Sequence, residues 1–134
     1  MRSVGRRAQL IAEQIGVRDQ KSLQDIFLLG YLHDVGYEFS DDQSDHARVG
    51  GEILRRNGYP YWREVYYHGD PDTGYSSQLL DILNTADMVT DPNGDSVTLD
   101  KRLEDIADRY GRDSSQYIKA RELAEQLVAK GLFV

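Results

Sequence analysis

Five residues of this chain could act together on one chemistry: His33, Asp34, His46, His68 and Asp87, which include all three of its histidines. Imidazole and carboxylate in one set suit a transition metal such as manganese, iron, zinc or nickel better than calcium. Asp87 falls in the apolar stretch Ile82-Leu83-Asn84-Thr85-Ala86-Asp87-Met88-Val89. A carboxylate there is costly unless it is paired or coordinated. His33-Asp34 directly follows the most apolar run of the chain, Ile26 to Leu32. Neighbouring residues of a helix point about 100° apart, so both can reach one ion only where a helix is ending, and Gly36 permits such an ending. The competing reading of a buried histidine is a hydrogen-bonded core residue. His33 at a helix end could equally cap the last carbonyls, favoured by the helix dipole.

The elements that must position these residues read as helices. Val4, Ala8, Ile11, Ala12 and Ile15 step at three and four, and Gly16 stops the run. Ser22 is the expected N-cap of a second helix through Leu32, apolar on nearly every face and therefore the expected buried, central one. Residues 37–44 read as a loop, and Asp45 as the cap of a third helix from His46 to Arg56, ended by Asn57-Gly58. Pro60 is expected at the first position of a short fourth helix ending near His68. Turns at 70–74 and 91–95 flank a fifth helix through Leu79, Leu80, Ile82, Leu83, Ala86 and Val89. Thr98 or Asp100 opens a sixth helix to Tyr110. Gly111 ends it, and Asp113 is expected to start a seventh. The expected fold class is all-α with about seven helices. His33, Asp34, His68 and Asp87 would then lie near helix ends and His46 at a helix start, positions that can converge at one end of a bundle.

The residues also resemble a family as an ordered set. Leu32-His33-Asp34-Val35-Gly36-Tyr37 is similar to the signature of the HD-domain metal-dependent phosphohydrolases. His46-Ala47-Arg48-Val49-Gly50-Gly51-Glu52-Ile53-Leu54 resembles the next helix of that superfamily. Val65-Tyr66-Tyr67-His68 is similar to its following histidine segment, and Leu83-Asn84-Thr85-Ala86-Asp87-Met88 to the helix with its final metal-binding aspartate. Arg102-Leu103 to Arg109-Tyr110-Gly111 resembles the tail of small stand-alone bacterial members. The resemblance covers essentially the whole chain and implies one HD domain over 1–134, a helical bundle on which residues 98–134 pack as C-terminal helices. It implies that His33, Asp34 and Asp87 bind a metal, and that His46 and His68 bind a second ion or line the site. The implied activity is hydrolysis of a small phosphate ester or nucleotide by a metal-bound hydroxide, with one or two divalent ions. Asp34, bridging two ions, would also orient the nucleophile and so be the catalytic residue.

The departures are equally specific. Aligning Val4-Gly5-Arg6-Arg7-Ala8 with the family's opening helix puts its first metal-binding histidine one residue before Met1. The apolar face Val4, Ala8, Ile11, Ile15 is in phase from the fourth residue, so these residues read as a helix interior. The expectation is a natural start upstream, with a histidine directly before Met1; the alternative is a lost ligand. Tyr37 stands where many relatives carry a lysine, and Gly69 where a second histidine often follows. Asn57-Gly58-Tyr59-Pro60 resembles a signature of cyclic-di-GMP phosphodiesterases but lacks the His-His-Glu that precedes it, and reads as a helix-ending turn. The competing function is a degenerate HD-fold module that binds a ligand or partner without catalysis.

Other features bound the answer. The 134 residues carry 16 Lys and Arg against 23 Asp and Glu, a net charge of −7. That charge disfavours nucleic acid and anionic membranes as partners but not a small phosphorylated substrate, because a held cation supplies positive charge. Cysteine is absent, which excludes disulfides, thiolate metal sites and a cysteine nucleophile. The apolar run at 26–32 is too short to cross a bilayer, and no apolar leader segment follows Arg2, Arg6 and Arg7. The expected location is the cytoplasm. Arg48 and Arg63 are candidates to hold a substrate phosphate, whereas Arg55 and Arg56 read as a solvated face. Tyr59, Tyr61, Trp62, Tyr66 and Tyr67 could stack a base or pack as core. Asp91, Asn93 and Asp95 imitate a calcium loop, but its twelfth position is Arg102 rather than glutamate. No nucleophile elbow surrounds Ser3, Ser44 or Ser96. Gly50-Gly51 is expected to allow close helix packing.

Overall fold

Apolar spacing sets the architecture. The computed structural model describes residues 2–38 and 45–133. Among them the chain forms seven helices: α1 (Arg2–Gln14), α2 (Gln20–Leu32), α3 (His46–Arg56), α4 (Trp62–Tyr67), α5 (Gln78–Met88), α6 (Leu99–Tyr110) and α7 (Ser115–Ala129). A 3-10 turn, Val35–Glu38, follows α2. One isolated bridge, Thr90 to Ser96, closes the turn between α5 and α6. The fold is all-α, as the periodicity predicts. Of the loop expected over 37–44, residues 37 and 38 belong to the 3-10 turn, and 39–44, with Ser44, lie outside the described residues.

Side-chain caps place most helix starts. Ser77 accepts from the Leu80 amide, and Thr98 from the Lys101 amide. Such caps contribute about 1 kcal/mol each. Three expected starts move. Asp19, not Ser22, caps α2: its backbone is extended, and its carboxylate accepts from the Ser22 amide at 2.9 Å. Ser114, not Asp113, caps α7 through the Tyr117 amide. Pro60 lies in the turn before α4, whose first residue is Trp62. Asp45 precedes α3 without a capping bond, because its carboxylate is paired with Arg48 at 2.8 Å.

The most buried helix is α5 rather than α2. In α2, Leu28 and Tyr31 are 44% and 48% exposed, so one flank faces solvent. In α5, every residue from Ile82 to Ala86 is buried, as are Leu80 and Met88. Ile82, Leu83 and Ala86 join a core made with Val4, Ala8, Ile11 and Ala12 of α1, Ile26 and Leu29 of α2, Leu54 and Val65. Met88 turns to a second cluster with Leu123, Ala124 and Leu127 of α7, against which Leu99 and Leu103 of α6 pack. Helix α5 therefore connects both clusters, and Asp87 sits at their junction.

Glycines allow three close approaches. A Cβ on Gly30 would meet the backbone of Gly5, so α1 and α2 nearly touch. A Cβ on Gly51 would run into the Cα and Cβ of Tyr66, so α3 lies against α4. This is the packing expected of the Gly50-Gly51 pair. Gly36 is needed for space: a Cβ there would collide with the carbonyl of His46. It draws the 3-10 turn onto the first turn of α3. No helix among the described residues is long and apolar enough to cross a membrane.

Candidate metal centre

Each of the five residues stands at a helix terminus. His33 is the C-cap of α2, with Asp34 next in the chain. His46 is the first residue of α3, His68 the C-cap of α4, and Asp87 the residue before the last of α5. The close approach at Gly36 brings the start of α3 against the end of α2. That at Gly51 holds α4 against α3. Helix α5 supplies Asp87 from the core side. Asn84, one turn before Asp87, accepts from the Gly69 amide at 2.9 Å and so fixes the backbone just after His68.

The five side chains are linked through His33 and Asp34, but the expected trio of His33, Asp34 and Asp87 is divided between two groups of ligand atoms. His33 Nε2 lies 3.1 Å from Asp34 Oδ2 and 3.3 Å from Asp87 Oδ1. Asp34 Oδ1 lies 3.4 Å from His46 Nε2 and 3.7 Å from His68 Nε2. The Nε2 atoms of His46 and His68 are 3.2 Å apart. His33 and His68 are buried, while the carboxylates of Asp34 and Asp87 keep about a third of their surface open, at 34% and 29%.

Backbone contacts orient two of the rings. His33 Nδ1 lies 2.7 Å from the Gly30 carbonyl, and His68 Nδ1 lies 2.5 Å from that of Val65. A carbonyl can only accept, so each Nδ1 carries the proton and each Nε2 can present its lone pair to the cluster. This is the arrangement by which proteins fix a metal-binding imidazole. The expected alternative, His33 satisfied at its helix end, is thus half of the answer: one nitrogen serves the backbone and the other the cluster.

The donor set fits a divalent cation. Ligand atoms bonded at about 2.0–2.2 Å to one ion lie roughly 3.0–3.5 Å from one another. Two groups could close on an ion, His33 with His68 and Asp87, and Asp34 with His46 and His68; within each, the ligand atoms lie within 4.8 Å of one another. His68 is common to both, and Asp34 directs one oxygen to His33 and the other to His46 and His68.

The protonation pattern without a metal is consistent with such a site. Burial lowers the affinity of His33 for a proton, but Asp87 and Asp34 overcome this and push its pKa up to about 10. Burial raises Asp34, yet hydrogen bonds from His33, His46 and His68 hold it well below the usual carboxylate range. Asp87 is also lowered: burial is outweighed by His33. The cluster wants positive charge, which a proton or a cation can provide.

The remaining candidates sit elsewhere. Arg48 is paired with Asp45, and Arg63 lies over the Trp62 ring at 4.5 Å, so both cations have partners outside the cluster. Trp62, Tyr66 and Tyr67 pack edge to face on one another, and Tyr59 does so on Tyr61. Tyr37 lies flat on His46 at 3.9 Å. Asp91 accepts from the Asn93 and Asp95 amides, a turn bond rather than a calcium ligand. Asn84 was missed by the sequence reading, although a second polar residue in the apolar stretch of Asp87 was the available signal.

The HD domain family matches residues 1–113 of the 134-residue chain. No curated protein and no solved structure matches it significantly. HD domains generally bind divalent metals, and their superfamily is one of metal-dependent phosphohydrolases. Ordered motifs, an all-α bundle and a matching profile over most of its length agree: this chain belongs to the HD-domain family.

Proposed function

We propose that this protein is a metal-dependent phosphohydrolase that acts on a small phosphate ester or nucleotide. The observation that carries the reading is the meeting of three imidazoles and two carboxylates from four helix ends, with Nδ1 of His33 and His68 held by backbone carbonyls. His33, Asp34 and Asp87 hold the metal, and His46 and His68 complete a site for one or two ions. Imidazole with carboxylate favours manganese, iron, zinc or nickel. A divalent ion bound there lowers the pKa of water and offsets charge on the phosphate.

The chain's own residues do the rest. The split carboxylate of Asp34 accepts a hydrogen bond from the attacking water and aims it at phosphorus. Its low proton affinity keeps it an acceptor at neutral pH. The Gly30 and Val65 carbonyls hold His33 and His68 against rotation, so the site needs little rearrangement during reaction.

The test is elemental analysis of the full chain purified without chelator, run beside a panel of phosphate monoesters, diesters and nucleotides. Bound transition metal with metal-dependent release of phosphate or nucleotide is expected. Metal retained without turnover of any ester would favour the non-catalytic binding module instead. Protein that takes up no metal would overturn both the site and the activity.

A further inference from the structure

His46 is the most open of the three histidines. Its side chain is 19% exposed, against 0% for His33 and 2% for His68. An imidazole at the rim of a site can turn between rotamers unless something holds its plane. For His33 and His68 the packed surroundings and a backbone carbonyl at Nδ1 do so. His46 is met by two rings. That of His68 approaches edge to face, with centroids 5.1 Å apart and planes at 70°. That of Tyr37 lies flat against it, with centroids 3.9 Å apart and planes 7° from parallel.

The turn that carries Tyr37 is itself tied to the site. The Tyr37 amide donates to the carbonyl of Asp34 at 3.0 Å. Gly36, one residue earlier, has no room for a Cβ because the His46 carbonyl occupies that space. The 3-10 turn therefore meets His46 twice, at the backbone through Gly36 and at the ring through Tyr37. Tyr37 is 46% exposed. A ring left so open adds little to the core, so its place is not explained by burial alone.

Resting on the phosphohydrolase reading and its metal site, we propose that Tyr37 is the positioning residue of His46. Its ring fixes the imidazole plane in which Nε2 faces Asp34 Oδ1 at 3.4 Å and His68 Nε2 at 3.2 Å. The working part is the flat face of the ring rather than the hydroxyl. Phenylalanine should therefore serve in its place, whereas leucine has no such face and should leave the imidazole free to swing from the cluster.

The test reads the full chain without metal and then with cobalt(II). The chain has three histidines, so few ring protons need assignment, and those of His46 are identified by their absence from His46→Gln. An aromatic ring lying flat on another shifts its protons upfield. In chelated wild type and Tyr37→Phe the His46 ring protons should be shifted upfield, and in Tyr37→Leu they should move back, with the His33 and His68 signals in place. In equilibrium dialysis, Y37L should bind cobalt about tenfold more weakly than wild type, and Y37F should bind it equally. The visible spectrum of bound cobalt should change in Y37L and not in Y37F. His46 protons without the upfield shift in wild type, or cobalt bound by Y37L with wild-type affinity and spectrum, would overturn the inference. So would a Y37F variant as weak as Y37L, or a Y37L variant in which the signals of all three histidines move together. Wild type with the upfield shift that binds no cobalt would overturn the proposed function alone, because the contact of Tyr37 with His46 is read without the ion.

Discussion

His46 and His68 face each other with their Nε2 atoms 3.2 Å apart, although one opens α3 and the other closes α4. His68 already places its Nδ1 against the Val65 carbonyl. Its Nε2 is therefore free to act as a lone pair, and Asp34 Oδ1 lies within 3.7 Å of both rings. Two imidazole nitrogens and a carboxylate oxygen brought this close form the kind of donor set a cation can hold. The close approach of Gly51 to Tyr66 holds the two helices, and hence the two rings, in that relation.

Asp34 is the member that touches both groups of ligands, so its loss should be felt by any ion there. Asp34→Asn keeps the shape and removes the charge. We expect metal affinity, measured by equilibrium dialysis, to fall by more than the roughly 10–100-fold typical of changes outside the ligand set. An unchanged affinity would place the ion elsewhere.

The metal-free protein should show a characteristic pH profile. The pKa of His33 is raised in the fold from 6.5 to about 10. Its contribution to stability is whole below 6.5 and is lost as pH rises through about 10. Asp34 and Asp87 are lowered from 3.8, so their contribution is present above that value and lost as pH falls below it. Chelated protein should therefore melt several degrees lower at pH 10 than at pH 6. His33→Gln should flatten this difference. A wild-type melting temperature that is constant over the alkaline range would contradict the assignment.

Close packing gives a prediction about geometry. Gly36→Ala places a methyl group against the His46 carbonyl, and Gly51→Ala places one against the Tyr66 backbone. Neither contact can be relieved by a flexible side chain. Each should cost about 1–3 kcal/mol in denaturant unfolding. G36A should also loosen metal, since it displaces His46 itself. Wild-type stability in both variants would show that α3 does not lie as close as described.

Much of the site was legible because its residues are of types rarely left in apolar surroundings without reason. Asp87 in the run from Ile82 to Val89, and His33-Asp34 after Ile26 to Leu32, announced themselves by composition. Their meeting was readable only through the ordered resemblance, because spacing along a chain does not say which helix ends share a face. Ser22 is the expected cap of α2, but Asp19 is a cap former as well, and only backbone geometry decides between them. The greater burial of α5 was hidden because its polar residues lower its apparent hydrophobicity. Thr85 bonds the Asp81 carbonyl and Asn84 the Gly69 amide, so both are buried at little cost.

A buried carboxylate outside the cluster separates fold from site. Glu64 of α4 is 3% exposed and accepts from Tyr75 Oη and from Ser77 Oγ, the cap of α5. Glu64→Leu would leave two donors without their acceptor and should destabilise the protein by about 2–4 kcal/mol in chemical unfolding. Metal content of the folded variant should equal that of wild type. Loss of metal with stability intact would mean that Glu64 belongs to the site.

The central claim is that one cluster of His33, Asp34, His46, His68 and Asp87 holds the metal. Anomalous scattering at the absorption edge of manganese or zinc, from crystals of the full chain grown with that ion, tests it most directly. The account predicts one or two peaks enclosed by the Nε2 atoms of the three histidines and the carboxylates of Asp34 and Asp87. Peaks confined to surface carboxylates, or none at this cluster in metal-soaked crystals, would contradict it.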